Sequence, residues 1–361
     1  MDLPARRASP HWDAGETLAD RFRAHAADAE HLYGYAIRGM AGDWDSGGPI
    51  REVCHGYENA PRGALIQLRL LAGLFRLVLT GKAPELVQFY PCLGGTAPAS
   101  RAWPVMRQVI GAHLAELHAA LAIAPQTNEV GRSVALLAGL FDLVATSGER
   151  RIRLLELGAS AGLNLLIDQY FYRGDSWQFG CSDSKLQFIN PIDGPVRAER
   201  FVIINRAGCD LDPVDATTAD GRLLLTSFVW PFDLDRHKRL SSALTVAATH
   251  PVRIDKASAS SWLPKALAAD GHELPVVWHS ISQMYWPAEE VTAVEGILAS
   301  YGAQRRLGEV SMEFDLGNPQ GAKPEVLTRL WDPDASRSLR EHLIGTAHYH
   351  GIPVTLAAYP G

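Results

Sequence analysis

Apolar positions recur at helical spacing through the first part of the chain and in short runs through the rest. In residues 64–79, Leu65, Leu68, Leu71, Ala72, Phe75 and Leu79 fall on one stripe, the three-to-four spacing of an amphipathic helix. Residues 17–40, 103–121 and 130–146 share this texture, and breaks rich in Gly and Pro separate them at 42–49, 90–99 and 124–127. The pattern predicts a bundle of at least four helices, a lid domain over residues 1–148. Past residue 150 short apolar runs alternate with helical stretches. Strands are expected at 152–157, 201–210, 252–255, 275–279, 306–313 and 352–356, and helices at 163–171, 235–248, 262–269 and 288–300. Such alternation predicts an α/β domain over 149–361, with a mostly parallel sheet between helices. Residues 326–330 and 346–358 lack a good helix between them, which predicts an antiparallel hairpin at the sheet edge.

Composition narrows the function classes. The chain has 361 residues, 47% apolar and 20% charged, with a net charge of −6. It lacks the clustered basic excess of a nucleic-acid footprint. Cys54, Cys92, Cys181 and Cys209 form no CxxC pair, so a zinc knuckle or dithiol site is not expected. The first fifteen residues have no apolar run of the secretory type. The apolar stretch 64–80 contains Arg69 and Arg76 and is too short to span a bilayer. The expectation is a cytoplasmic protein acting on a small molecule, with neither nucleic acid nor membrane as partner and with its oligomeric state open.

The most informative segment is Arg-Ile-Arg-Leu-Leu-Glu-Leu-Gly-Ala-Ser-Ala-Gly-Leu-Asn-Leu-Leu, residues 151–166. An apolar strand ends at Glu156, the small residues Gly158, Ala159, Ser160 and Gly162 make a turn, and a helical run carrying Asn164 follows. Strand, glycine turn and helix in this order form the opening of a Rossmann-like nucleotide-binding sheet. A pyrophosphate-binding turn prefers GxGxxG, whereas this one is GxSxG, preceded by an acid. That combination is similar to the first motif of class I S-adenosylmethionine-dependent methyltransferases. GxSxG also spells the nucleophile elbow of α/β-hydrolases, in which Ser160 would attack an ester. That alternative ranks second.

Downstream, an acid closing the second strand can accept both ribose hydroxyls. Asp210 is the first candidate, with Leu211 beside it and Asp212 as the second. About fifty residues separate the turn from Asp210, where roughly twenty is usual. Residues 172–200 are therefore expected to be an insertion, a hairpin carrying Trp177 and Phe179.

Several segments together resemble the bacterial proteins that carry the domain of unknown function DUF2332. They are Gln126-Thr-Asn-Glu-Val-Gly-Arg132, the glycine-turn segment 154–166 and Gly208-Cys-Asp-Leu-Asp-Pro-Val-Asp215. Phe228-Val-Trp-Pro231, His279-Ser-Ile-Ser-Gln-Met-Tyr285 and Gly345-Thr-Ala-His-Tyr-His-Gly351 complete the set. The resemblance implies a Rossmann-like, class I methyltransferase-type fold and no known reaction. One position departs from the methyltransferase pattern. Ser258 stands where an acid would meet the adenine amino group, and a neutral acceptor is weaker than a charged one. Asp255 is the alternative acid if the register differs.

The reacting end is expected beyond the carboxyl ends of the strands. His279, Tyr285 and Glu313 are the catalytic candidates there, with His279 as general base or, equally, as a loop-holding histidine. Gln283 lies beside them. Asn128, Glu129 and Arg132 are expected to face the pocket from a helix start. His348 and His350 alternate as in a strand and so share a face; they are assigned to the substrate, and no metal site is expected. S-adenosylmethionine is the expected cofactor and methyl transfer to a small molecule the expected reaction. A non-catalytic nucleoside-binding protein and a serine hydrolase are the alternatives.

Overall fold

A computed structural model describes residues 16–269, 271–315 and 323–357. The chain divides into two compact units. One holds the described chain up to Thr127 together with Thr218–Lys238, and the other holds Asn128–Thr217 and the described chain from Arg239 onward.

The first unit is helical. It contains α1 (Leu18–Ala26), α2 (Leu32–Asp45), α3 (Pro49–Val53), α4 (Ile66–Leu79), α5 (Ala102–Ala112) and α6 (Leu114–Ala120). Thr17 opens α1 with a capping box: its side chain accepts from the Asp20 amide while Asp20 accepts from the Thr17 amide. The stripe read from residues 64–79 becomes α4, whose Leu70, Leu71, Leu74 and Phe75 enter a core shared with Phe22, Ile37, Met40 and Ile110. Each such side chain contributes roughly 1.5–3 kcal/mol on burial. The run 103–121 is two helices, because the chain bends at His113.

The second unit is α/β. Its chain order runs α7 (Ser133–Ser147), β1 (Arg151–Leu157), β2 (Phe171–Arg173), β3 (Gln178–Gly180), β4 (Gln187–Ile189) and β5 (Ile192–Asp193). After β6 (Val202–Asp210) the chain passes through α8 (Ala219–Ser227) in the helical unit and then α9 (Leu234–Thr249). It continues through β7 (Ile254–Lys256), α10 (Ala259–Leu267), β8 (Leu274–Ser280), α11 (Ala288–Gly302) and β9 (Leu307–Glu313). The last elements are β10 (Glu325–Trp331), β11 (Leu339–Ala347) and β12 (Val354–Leu356). A nine-stranded sheet has the order β5-β12-β11-β10-β9-β8-β1-β6-β7. The run from β9 to β7 is parallel; β9, β10, β11 and β12 pair antiparallel. The expected edge hairpin is thus a longer meander. The expected insertion is a separate three-stranded sheet, in which β2 pairs antiparallel with β3 and parallel with β4.

Helices cover both faces. Leu155 and Leu157 of β1, Val277 of β8 and Leu307 of β9 share a core with Trp262 and Leu263 of α10 and Val294 and Leu298 of α11. On the opposite face α7 sits against β9, so close that a Cβ on Gly139 would lie 2.3 Å from Val310. The stretch Val130–Ser147 is apolar enough in composition to cross a membrane, but 72% of it is buried. It is the core helix of the sheet unit, so α7 belongs with the sheet rather than with the bundle over 1–148. A helix apolar on all sides finds burial only inside a core.

Candidate functional site

The sheet changes direction of growth at β1. The chain adds β6 and β7 on one side and β8 and β9 on the other. Beyond the carboxyl ends of two such strands an open α/β sheet forms its ligand crevice. The turn after β1 and the loop after β8 meet there: a Cβ on Gly158 would lie 3.2 Å from that of Ser282. Gly158 and Gly162 adopt φ of +70° and +68°, and a side chain on Gly162 would also press on Ile254 at 2.7 Å. Left-handed backbone and close approach both demand glycine here. Ser160 is left-handed too, with φ +52°. The helical stretch expected over 163–171 is a 3-10 helix at Leu163–Gln169.

Glu156 occupies the centre of this turn. It pairs in register with Trp278 on β8, so the two side chains share the face that α7 covers. Trp278 Nε1 donates to Glu156 Oε1 at 3.1 Å, and Asn164 Nδ2 lies 3.4 Å from the same oxygen. Burial is the largest influence on Glu156 and pushes it up to about 8. The bonds from Asn164 and Trp278 pull the other way, the nearby Asp210 adds to the rise and Arg132 opposes it.

Three buried oxygens around the turn have no donor among the described residues. They are Glu156 Oε2, Asn164 Oδ1 and Asn128 Oδ1. Their residues are 3%, 3% and 8% exposed. Asn128 is tied to the turn through its amide, which donates to the Ala159 carbonyl at 3.0 Å. Buried polar atoms normally find a partner, and each of these three is an acceptor that the described residues leave unused.

The other candidates are placed as follows. Asp210 accepts the Ser160 amide on Oδ2 at 2.8 Å and the Asp212 amide on Oδ1 at 2.9 Å. Each oxygen keeps a second lone pair. Leu211 is exposed. Glu129 accepts from the Gly131 amide and pairs with Arg239 at 3.0 Å. Arg132 donates to the Ser280 carbonyl at 3.1 Å and the Tyr349 carbonyl at 3.3 Å, linking the crevice to the loop after β11. Gln283 is half-buried and Tyr285 exposed in the loop after β8. Ser258 is the N-cap of α10, its hydroxyl accepting from the Ser261 amide. Asp255 accepts from Trp262 Nε1 at 3.0 Å, so both residues also serve α10 itself.

His279 is held rather than poised. It lies on the face opposite Glu156 and is 1% exposed. Its Nδ1 is 2.9 Å from Glu313 and its Nε2 3.1 Å from Glu309. Burial opposes the charge on this imidazole, but the two glutamates outweigh it and raise the group to about 9. An imidazolium with both nitrogens bonded offers no lone pair to a substrate, so this geometry serves the loop-holding role and not the general base. Glu309 in turn binds Arg329, which also binds Glu295 of α11 at 2.7 Å. Glu313 accepts the Ser282 and Gln283 amides and so fixes the loop after β8. Glu309, Arg329 and Glu295 carry this arrangement, and Trp278 holds Glu156 on the other face; none of the four was singled out by the sequence. Only the register of β8, β9 and β10 brings them together.

His348 and His350 follow β11 in a turn rather than continuing it as a strand. The His350 amide donates to His348 Nδ1 at 3.2 Å, and Gly351 closes the turn at φ +84°. Among the described residues no group of three or more His, Cys, Asp or Glu is set to hold a metal.

A family model described as an uncharacterized protein conserved in bacteria (DUF2332) matches residues 16–355. No curated protein and no solved structure matches the chain. The family match spans both compact units and every strand of the large sheet but the last residue of β12, and on that breadth the chain belongs to the DUF2332 family.

Proposed function

We propose that this protein binds S-adenosylmethionine at the glycine turn after β1, in a Rossmann-like, methyltransferase-type fold, and transfers its methyl group to a small molecule. The observation that carries the proposal is the acceptor cluster of Glu156 Oε2, Asn164 Oδ1 and Asn128 Oδ1. An α-ammonium group has three N–H donors and a positive charge, which is what three buried acceptors with one carboxyl call for. Asp210 keeps lone pairs for ribose hydroxyls. When bound, the cofactor supplies an electrophilic methyl on a sulfonium. The chain's own part is to position and to exclude water. Glu156 and the asparagines hold the amino end, and Arg132 and Glu313 fix the loop that borders the crevice. Rate in such a transfer comes mainly from alignment of the reactants. With both nitrogens of His279 on glutamates, the arrangement favours an acceptor that needs no base, or a protein that binds the ligand without consuming it. The four cysteines are free, which supports a reducing, cytoplasmic setting.

Calorimetry with S-adenosylmethionine and S-adenosylhomocysteine tests the proposal, and no heat from either would refute it. A hydrolase is the second reading, favoured by one observation: Ser160 at φ +52° has the left-handed backbone of a nucleophile elbow. Against it, His279 has both nitrogens on glutamates. Another carboxylate-paired histidine among the described residues of the sheet, His342 with Asp142 at 2.9 Å, stands on β11, four strands from β1. At the usual strand spacing that is about 19 Å away.

A further inference from the structure

We propose that a groove in the helical unit, between α3 and α5, binds a small molecule bearing a phosphate group. This inference does not depend on the glycine-turn site.

The groove has a volume of about 740 Å³, and its lining includes Gly48, Pro49, Arg51, Glu52, His55 and Arg107. That volume lies within the usual range for small-molecule sites. Two guanidinium groups face it, and each is held from behind. Arg107 Nε donates to Asp43 at 2.6 Å, and the Asp43 side chain is 1% exposed. The other Asp43 oxygen accepts the Ile50 amide at 2.8 Å, so the carboxylate is fixed at the start of α3. Arg51 lies over the Trp44 ring at 5.5 Å. Arg107 therefore spends only Nε on its partner. Its terminal amines, like the whole guanidinium of Arg51, have no hydrogen-bond partner among the described residues. Gly48 belongs to the same construction: a Cβ there would lie 2.1 Å from Asp43 Oδ1. Gly47, at φ +70°, has open space where its side chain would be, leaving backbone open to a ligand.

Two guanidinium forks on one groove select the ligand's chemistry. A carboxylate has two oxygens and satisfies one guanidinium. A phosphate monoester has three terminal oxygens and nearly two charges, enough to engage both forks. Glu52 on the groove and the His55–Glu58 pair at 3.4 Å supply the opposing charge at its edge. They disfavour a long polyanion and favour a compact one.

The test is isothermal titration calorimetry of the full chain with inorganic phosphate and with pyrophosphate, at ionic strength held constant with sodium chloride. Saturable binding is expected, weakened at least tenfold by Arg51→Ala and similarly by Arg107→Lys, which keeps a cation for Asp43 but loses the fork. Unfolding curves of both variants must overlay the wild type for the comparison to count, and Arg51→Ala, at an exposed position, is expected to meet that condition. Glu156→Gln is expected to bind phosphate as the wild type does. Sedimentation with phosphatidic-acid vesicles separates a soluble ligand from a lipid headgroup: the protein is expected to stay in the supernatant. No heat beyond that of chloride, unchanged binding by Arg51→Ala, or pelleting with vesicles without a response to free phosphate would each overturn the proposal.

Discussion

Trp278 Nε1 donates to Glu156 Oε1 across two adjacent parallel strands, 122 residues apart in the chain, while the second oxygen of Glu156 is left without a donor. The bond orients the carboxyl and burial raises it to about 8. Much of the acid is thus protonated at neutral pH until a cation arrives.

Stability should register this directly. Glu156 rises from its ordinary value of 4.5 to about 8 on folding. The folded state therefore holds the proton more tightly, and ionisation destabilises it. The penalty is absent below about pH 4.5, grows through the window to pH 8 and is complete above it. Glu156→Gln removes a cost on the order of 3–5 kcal/mol at full ionisation. Thermal unfolding at pH 5.5 and pH 9 should show the variant gaining on the wild type as pH rises. Parallel pH profiles would contradict the assignment.

His279 should behave in the opposite sense. Its value rises from 6.5 to about 9 on folding. The stability it contributes is fully present below pH 6.5 and is lost as pH rises through 9. His279→Gln should cost roughly 3 kcal/mol at pH 7, because it leaves Glu309 and Glu313 short of a buried partner. Urea midpoints measured from pH 6 to 10 should fall more steeply for the wild type than for the variant, which keeps only the loss from Glu156 ionisation up to pH 8. If methyl transfer is found, its rate should show no ionisation near pH 6.5 that vanishes in His279→Gln.

Ser258 offers a gain-of-function test. It caps α10, so Ser258→Ala should cost about 1 kcal/mol. Ser258→Asp keeps a capping oxygen and restores an acid at the position read as the adenine contact. Affinity for S-adenosylhomocysteine should rise severalfold in Ser258→Asp. An unchanged dissociation constant would show that this residue is not near the base.

Ser160 separates the two chemical readings. At φ +52° a glycine is at ease, so Ser160→Gly should fold at least as stably as the wild type and still bind the nucleoside. A fluorophosphonate probe should leave the wild-type protein unlabelled. Stoichiometric labelling lost in Ser160→Gly would establish the hydrolase.

The strand–turn–helix opening, the later strands and the helical texture were legible because they rest on local spacing and glycine chemistry. The place of α7 was less so, since periodicity shows that Val134, Leu137 and Phe141 are apolar without showing which core receives them. His348 and His350 alternate as a strand would, but Gly351 turns the chain. The Glu295–Arg329–Glu309–His279–Glu313 network comes from three strands and a helix, and no local pattern joins those residues. Asn164 was marked by its motif, whereas the unsatisfied oxygens that give it meaning appear only once β8 and the segment at Asn128 are folded around the turn.

The central claim is that Glu156 gives up its proton to receive an ammonium group. Calorimetric titration with S-adenosylhomocysteine in buffers of different ionisation heat measures that proton. At pH 6.5 binding should release protons, because Glu156 is protonated before binding and ionised after it. At pH 9 that release should vanish, because Glu156 is already ionised before binding. Glu156→Gln should abolish the release and weaken binding at least tenfold. No binding, or binding of equal strength and no proton release in both proteins at pH 6.5, would contradict the account.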